Sequence, residues 1–230
     1  LALCGVCSRR EADKLIEQGR VSVNGRNADM GMQVTQKDHI LVNGKELAGK
    51  EKKVVLAFYK PIGVTTTEKD KHAKKIIADI IHYPVRVTYA GRLDKDSEGL
   101  LILTNDGTLI DAMMRGANGH EKEYVVKVDK ELTEDFIKSM KEGVYLKELD
   151  ITTRKCEIDQ IGKFTFQITL TQGVNRQIRR MCHTLGFEVK SLKRTRVMNV
   201  LLGRLASGEY REVTGEELKE LYRGCNLTVE

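Results

Sequence analysis

Residues 99–104, GLLILT, constrain the fold more than any other stretch of the chain. Leu100, Leu101, Ile102 and Leu103 are apolar without a break, so the strand they form must be buried. A turn crowded with charge stands directly before it: Arg92, Asp94, Lys95, Asp96 and Glu98. A rigid strand is therefore set to hold a charged turn against a core. Taken alone, GRLD (91–94) is a polar turn before a strand and nothing more. Asp94, Asp96 and Glu98 followed by Gly99 imitate the start of a calcium loop. The closing position, which such a loop gives to a bidentate glutamate, holds Asn105, and LLIL replaces the flexible loop, so no metal is expected.

Strands and helices mix elsewhere without a regular βαβ alternation. Ser8-Arg9-Arg10-Glu11 fits a capping box. Ala12, Leu15 and Ile16 follow at helical spacing, and Gly19 is a natural stop. VSVNG (21–25) and DHILVNGKEL (38–47) each read as a strand meeting an Asn-Gly turn. Residues 1–48 thus form a small unit of one helix and short strands, 49–53 a basic linker, and 54–230 a second unit. In that second unit strands are predicted at 54–58, 85–89, 99–104, 124–128 and 164–170, with Pro61 ending the first. Helices are predicted at 74–81, through Met114, at 133–140, and after a second capping box at 214–217. The pattern is α+β, with a mixed, largely antiparallel sheet.

QGVNRQIRRMCHTLG (172–186) predicts an amphipathic helix with Asn175 as its N-cap and Gly186 as its stop. Ile178, Met181, Cys182 and Leu185 share one face. Arg176, Arg179, Arg180 and His183 share nearly the opposite one. Seven Lys or Arg lie between Gln172 and Arg196 against one acid, Glu188. That imbalance reads as an anion-binding face, with phosphate the expected anion. The whole chain carries a net charge of +6, in keeping with a nucleic-acid partner.

Charged residues make up 31% and apolar residues 40% of the chain, which fits a globular protein rather than a disordered one. No apolar run approaches the ~20 residues of a membrane span. The first residue is leucine, so residues of the gene product are expected to precede it; LALCGVCSRREAD is not a signal peptide. Cys4 and Cys7 form a C-x-x-C, but Cys156, Cys182 and Cys225 stand alone. Neither a zinc site nor a disulfide framework is expected, and the cytoplasm is the expected setting.

CSRREADKLIEQGRVSVNG resembles the S4 RNA-binding module, departing only in a shortened first turn. That resemblance implies that Arg9, Arg10 and Lys14 face RNA phosphates. KPIGVT, GRLD with its buried strand, KEYVV, and NRQIRRM, in this order behind an S4-like module, resemble the pseudouridine synthases of the RsuA/RluB/RluF group. The resemblance covers essentially the whole chain. GHEKEY, GVNRQIRRM and RTRVMNV are most similar to the RluF branch, which acts on large-subunit ribosomal RNA.

The family's reaction isomerises uridine to pseudouridine; nothing is added or removed, so no cofactor is implied. The resemblance makes Asp94 the nucleophile, Arg179 the arginine that keeps it ionised, and Tyr124 the ring stacked on uracil. Tyr124 alone would read as a core tyrosine in a strand. Arg92 would fill the gap left by the flipped uridine. Lys60, Arg176, Arg180, Lys193 and Arg194 would hold phosphates and offset the cost of flipping. The expected partner is structured RNA, 23S rRNA first, with 16S rRNA and tRNA open. Duplex DNA and a membrane are not expected, and a monomer is. The rival reading is a non-catalytic S4-type RNA-binding or assembly protein, which should lack one of Asp94, Tyr124 and Arg179.

Overall fold

A computed structural model describes residues 1–35, 37–47, 52–67 and 75–229. The chain forms two compact units, Leu1–Lys53 with Tyr83–Arg86, and Val54–His82 with Val87–Glu230. Of the expected linker, residues 49–51 lie outside the described residues.

The first unit holds α1 (Arg9–Glu17), β1 (Val21–Val23), β2 (Arg26–Asn27), β3 (Ile40–Val42) and β4 (Lys45–Glu46). The capping box at Ser8 forms: its hydroxyl accepts from Glu11 N–H, and the Glu11 carboxylate accepts from Ser8 N–H. Asn24-Gly25 and Asn43-Gly44 have positive φ, the left-handed pair that closes a two-residue hairpin. The strands form an antiparallel sheet in the order β2-β1-β3-β4 over buried Val21, Ala28 and Val42. Arg9, Arg10 and Lys14 are exposed on α1.

The second unit is built on β5 (Val55–Lys60), β6 (Thr88–Ala90), β7 (Glu98–Thr104), β8 (Lys122–Val128), β11 (Glu157–Gly162), β12 (Thr165–Leu170), β13 (Val189–Val197), β14 (Val200–Leu201) and β15 (Tyr210–Glu212). The sheet order is β11-β12-β8-β13-β7-β5-β15, with β14 on β13 and β6 on β7. Among the described strands only β13 and β7 run parallel, pairing Arg194 with Gly99. A separate small hairpin joins β9 (Tyr145–Leu146) and β10 (Ile151–Thr152). The helices are α2 (Gly107–Met114), α3 (Glu134–Glu142), α4 (Gln177–Thr184) and α5 (Gly215–Gly224). The α+β expectation holds. The apolar face of α4 packs Ile178, Met181 and Cys182 into a core with Val126, Ile168 and Leu192. A second core gathers Leu100, Ile102, Leu109, Leu221 and their neighbours. Among the described residues no helix is long and apolar enough to cross a membrane.

Four local expectations need correction. The helix at 74–81 reduces to one turn at Ile77–Asp79, with Lys74 outside the described residues. Ile76 is extended and its N–H donates to the Asp79 carboxylate, while Lys75 O accepts from Thr65 N–H. Those backbone groups are already engaged, and β-branched isoleucines resist helix. The strand at 85–89 shifts to Thr88–Ala90, the residues that pair with Ile102–Thr104 of β7. The Thr214 cap makes no side-chain bond; the Glu217 carboxylate instead takes both Nη atoms of Arg211 at 2.7 Å. Finally, α4 starts one residue late, with Arg176 in left-handed conformation as its N-cap.

Candidate active site

Backbone carbonyls hold the turn that leads into β7. Gly91 enters it with φ +87 and Leu93 is buried beneath it. Six successive carbonyls then each have a donor. Arg92 O accepts from Arg194 Nη1 at 3.5 Å and Leu93 O from the Thr66 hydroxyl at 2.7 Å. Asp94 O accepts from Ser97 N–H at 3.1 Å and Lys95 O from Gly63 N–H at 2.7 Å. Asp96 O accepts from Arg179 Nη2 at 2.9 Å, and Ser97 O from Lys60 Nζ at 2.8 Å. A row of carbonyls concentrates partial negative charge, which accounts for cations among the donors.

Two cavities meet at this turn. A cleft of about 410 Å³ is lined by Arg92, Asp94, Ser97, Lys122, Tyr124, Gln172, Arg176, Arg179 and Arg194, among others. A second cavity of about 500 Å³ is lined by Ile62, Gly63, Thr65, Thr66 and the turn itself. Arg92, Leu93, Asp94 and Arg176 line both. Asp94 and Tyr124 are half-buried, and Arg92 is exposed.

The expected row of outward guanidiniums on α4 is broken up by carboxylates. Arg176 Nη1 lies 3.5 Å from Asp94 Oδ2, and its two Nη atoms reach Asp96 at 3.2 and 3.0 Å. Arg179 Nε is 3.4 Å from Asp96 Oδ2 with only 15% of its side chain exposed. Arg180 pairs with Glu148 and donates to Asn175 O. The guanidinium beside Asp94 is therefore that of Arg176; Arg179 reaches the turn's backbone. Partial burial pushes the Asp96 carboxyl up, but the Arg176 hydrogen bond and the charges of Arg179 and Arg176 prevail and hold it below its ordinary range.

Three other expected phosphate ligands are engaged elsewhere. Lys60 has no exposed surface, and its Nζ also donates to Pro61 O at 2.7 Å. Arg194 is 2% exposed, with Nε on Leu100 O at 2.7 Å. Lys193 stands 4.8 Å from the centre of the Tyr59 ring. It alternates with Arg194 along β13 and so projects from the other face of the sheet. Of the calcium-loop look-alikes, Glu98 accepts the Tyr59 hydroxyl at 2.7 Å.

The structure thus brings Asp94, Tyr124, Arg179, Arg92, Arg176 and Arg194 to one cleft. Sequence reasoning missed Thr66, whose hydroxyl donates to Leu93 O across 27 residues, and Ser97, whose hydroxyl accepts from Arg179 across 82, and it missed Lys122. A signal for Lys122 existed: it lies two residues before Tyr124 in an alternating strand, hence on the same face.

The fold, with an RNA-module-like first unit and a cleft around a rigidly held aspartate turn, is one shared with known proteins. Residues 54–184 match the RNA pseudouridylate synthase family and residues 3–40 match the S4 domain. The chain belongs to the RNA pseudouridylate synthase family; it is an RNA pseudouridine synthase carrying an S4 domain. It is 48% identical over 221 residues to the dual-specificity RNA pseudouridine synthase RluF of Escherichia coli (strain K12), covering 95% of this chain and 75% of that one. It is 36% identical over 227 residues to the ribosomal large subunit pseudouridine synthase B of Bacillus subtilis (strain 168), covering 96% and 93%. A solved pseudouridylate synthase shares the fold with TM-score 0.71 and 28% identity over 96% of both chains.

Proposed function

We propose that the protein isomerises uridine to pseudouridine at specific positions of ribosomal RNA, the large subunit first, with Asp94 as the nucleophile. The observation that carries this reading is the held turn: every carbonyl from Arg92 to Ser97 is bonded, so the Asp94 carboxylate is presented at the cleft with little freedom. Fixing a reactive group before substrate arrives removes reorganisation from the barrier.

The uridine leaves its stack and enters the cleft. Its ring lies on Tyr124, and exposed Arg92 occupies the space vacated in the RNA. Asp94 acts at the ribose, either by bonding C1′ or through a glycal. The N1–C1′ bond breaks, the ring turns, and C5 bonds C1′. Arg179 serves the turn by holding Asp96 O, and Arg176 is the cation that meets Asp94 and faces the incoming phosphates. Arg180, at the same helix, contributes charge to that approach. Residues 1–48 form the S4 domain, with Arg9, Arg10 and Lys14 on RNA phosphates, 49–53 the linker and 54–230 the catalytic domain. The protein works as a monomer in the cytoplasm.

The test is a carbodiimide–primer-extension map of pseudouridine in total RNA, with and without the gene. Transfer RNA is mapped beside ribosomal RNA because the Escherichia coli relative is a dual-specificity enzyme. Loss of a stop in 23S rRNA is expected. An unchanged ribosomal map with a stop lost in tRNA alone would overturn the ribosomal assignment.

A further inference from the structure

Among the described residues, four cations that line the cleft have no carboxylate partner: exposed Arg92 and Arg115, and the more deeply set Lys122 and Arg194. Arg194 is tied by Nε to Leu100 O and by Nη1 to Arg92 O, while its Nη2 is buried and has no partner. Lys122 has one polar contact, Nζ to His120 O at 3.4 Å. Among the described residues no carboxylate lies within ion-pair distance of either side chain. A buried guanidinium nitrogen without an acceptor is costly unless something else supplies one.

Strand register aims both at the same place. Arg194 is the antiparallel partner of Tyr124, so their side chains leave the same face of the sheet. Lys122 lies two residues before Tyr124 on β8 and shares that face. All three line the cleft with Asp94. Burial first, and then the charge of Arg194, push the Lys122 ammonium below its ordinary range.

We propose that Arg194 and Lys122 form the counter-charge for the uracil ring when it is detached from the ribose. The inference rests on the reading of this cleft as the uridine site. When N1–C1′ breaks, its electron pair leaves with the ring, whose charge spreads over N1, O2 and O4. C1′ is taken up by the Asp94 carboxylate, or C2′ gives its proton to that carboxylate and the C1′=C2′ glycal forms. C5 then bonds C1′ as the Asp94–C1′ bond breaks, or as the carboxylate returns the proton to C2′ of the glycal; the C5 proton is lost and N1 gains one, so atoms and charge balance. Through the detached interval the ring is an anion. Arg194, buried and pinned at two of its nitrogens, supplies a fixed charge behind the cleft wall, and Lys122 is the cation that meets the ring. Donors fixed where charge develops stabilise the transition state without reorganising.

The experiment compares single-turnover loss of the N1-linked nucleoside in RNA carrying uridine or 5-fluorouridine at the target position. Fluorine makes the departing ring a better leaving group, so it needs less help from protein cations. Lys122→Met should slow reaction of uridine about 100-fold, slow 5-fluorouridine far less, and leave RNA affinity nearly unchanged. Arg194→Lys should retain more rate than Arg194→Met. Because Arg194 also supports the turn, Lys122→Met decides the matter if the Arg194 variants do not fold. Equal slowing on both substrates overturns the proposal. So does lost RNA affinity with an unchanged bound-state rate, which would mark a phosphate site instead. Asp94→Asn in the same assay is the control on the cleft: if it still turns over, the uridine site lies elsewhere, whatever Lys122 does.

Discussion

Lys60 ends β5 with no exposed surface and its ammonium shared between Pro61 O and Ser97 O. Burial pushes it from its ordinary 10.5 down to about 8. The sign of the consequence follows from proton counts. Below about 8 the folded and unfolded lysines are both charged; from there to 10.5 the unfolded chain binds more proton. Stability from this group therefore rises with pH across that window. Lys60→Met removes the rise and, by stranding two carbonyls, costs about 1–3 kcal/mol at neutral pH. Denaturant titrations of both proteins from neutral pH into the window measure it; parallel pH curves would contradict it. Lys60 was read from sequence as a phosphate ligand because composition shows a charge but not its partner. The available signal was its place at the end of an otherwise apolar run, where an exposed lysine is out of pattern. Arg194, also read as a phosphate ligand, misled in the same way, and Arg179, read as the partner of Asp94, reaches the turn through the backbone of Asp96. Their acceptors lie 94 and 83 residues away in sequence, and no local pattern reports such a distance.

Elements carry the turn as much as residues do. Where β7 begins to pair in parallel with β13, Gly99 has φ +109, and a Cβ there would sit 2.3 Å from Arg194 O. Both strain and backbone clash oppose any side chain. Gly99→Ala should cost about 2 kcal/mol or more and slow catalysis, because the strand start and the Asp94 turn move together. A thermal melt and a single-turnover rate measure the two effects; a variant as stable and active as the parent would contradict them. Element type was legible wherever periodicity was strong and neighbours agreed with it, as at Ser8–Glu11, the LLIL strand and the apolar face of α4. It failed at 74–81, where apolar spacing was helical but the backbone at Lys75 and Ile76 was engaged with Thr65 and Asp79. It failed again at Thr214, where Arg211 takes Glu217, the residue a capping box needs. In both cases a tertiary partner outbid a local one.

At the scale of the molecule, the chain falls into two compact units, and the proposed function rests RNA affinity largely on the first and chemistry on the second. Deleting residues 1–48 should leave the second unit folded, since its cores are its own. Loss of Arg9, Arg10 and Lys14 should lower the magnitude of the salt slope of RNA binding by about 2–3. Circular dichroism and filter binding across a salt series test this; an unfolded truncation, or an unchanged slope, would contradict it. The central claim concerns one carboxylate. Asp94→Asn keeps the shape of the side chain and all six carbonyl bonds of the turn, but removes the nucleophile. The most direct measurement is pseudouridine formation by this variant on target RNA in excess enzyme, with RNA affinity measured on the same preparation. Binding close to the parent with no product is the expected result. Product at the parent's rate would contradict the account.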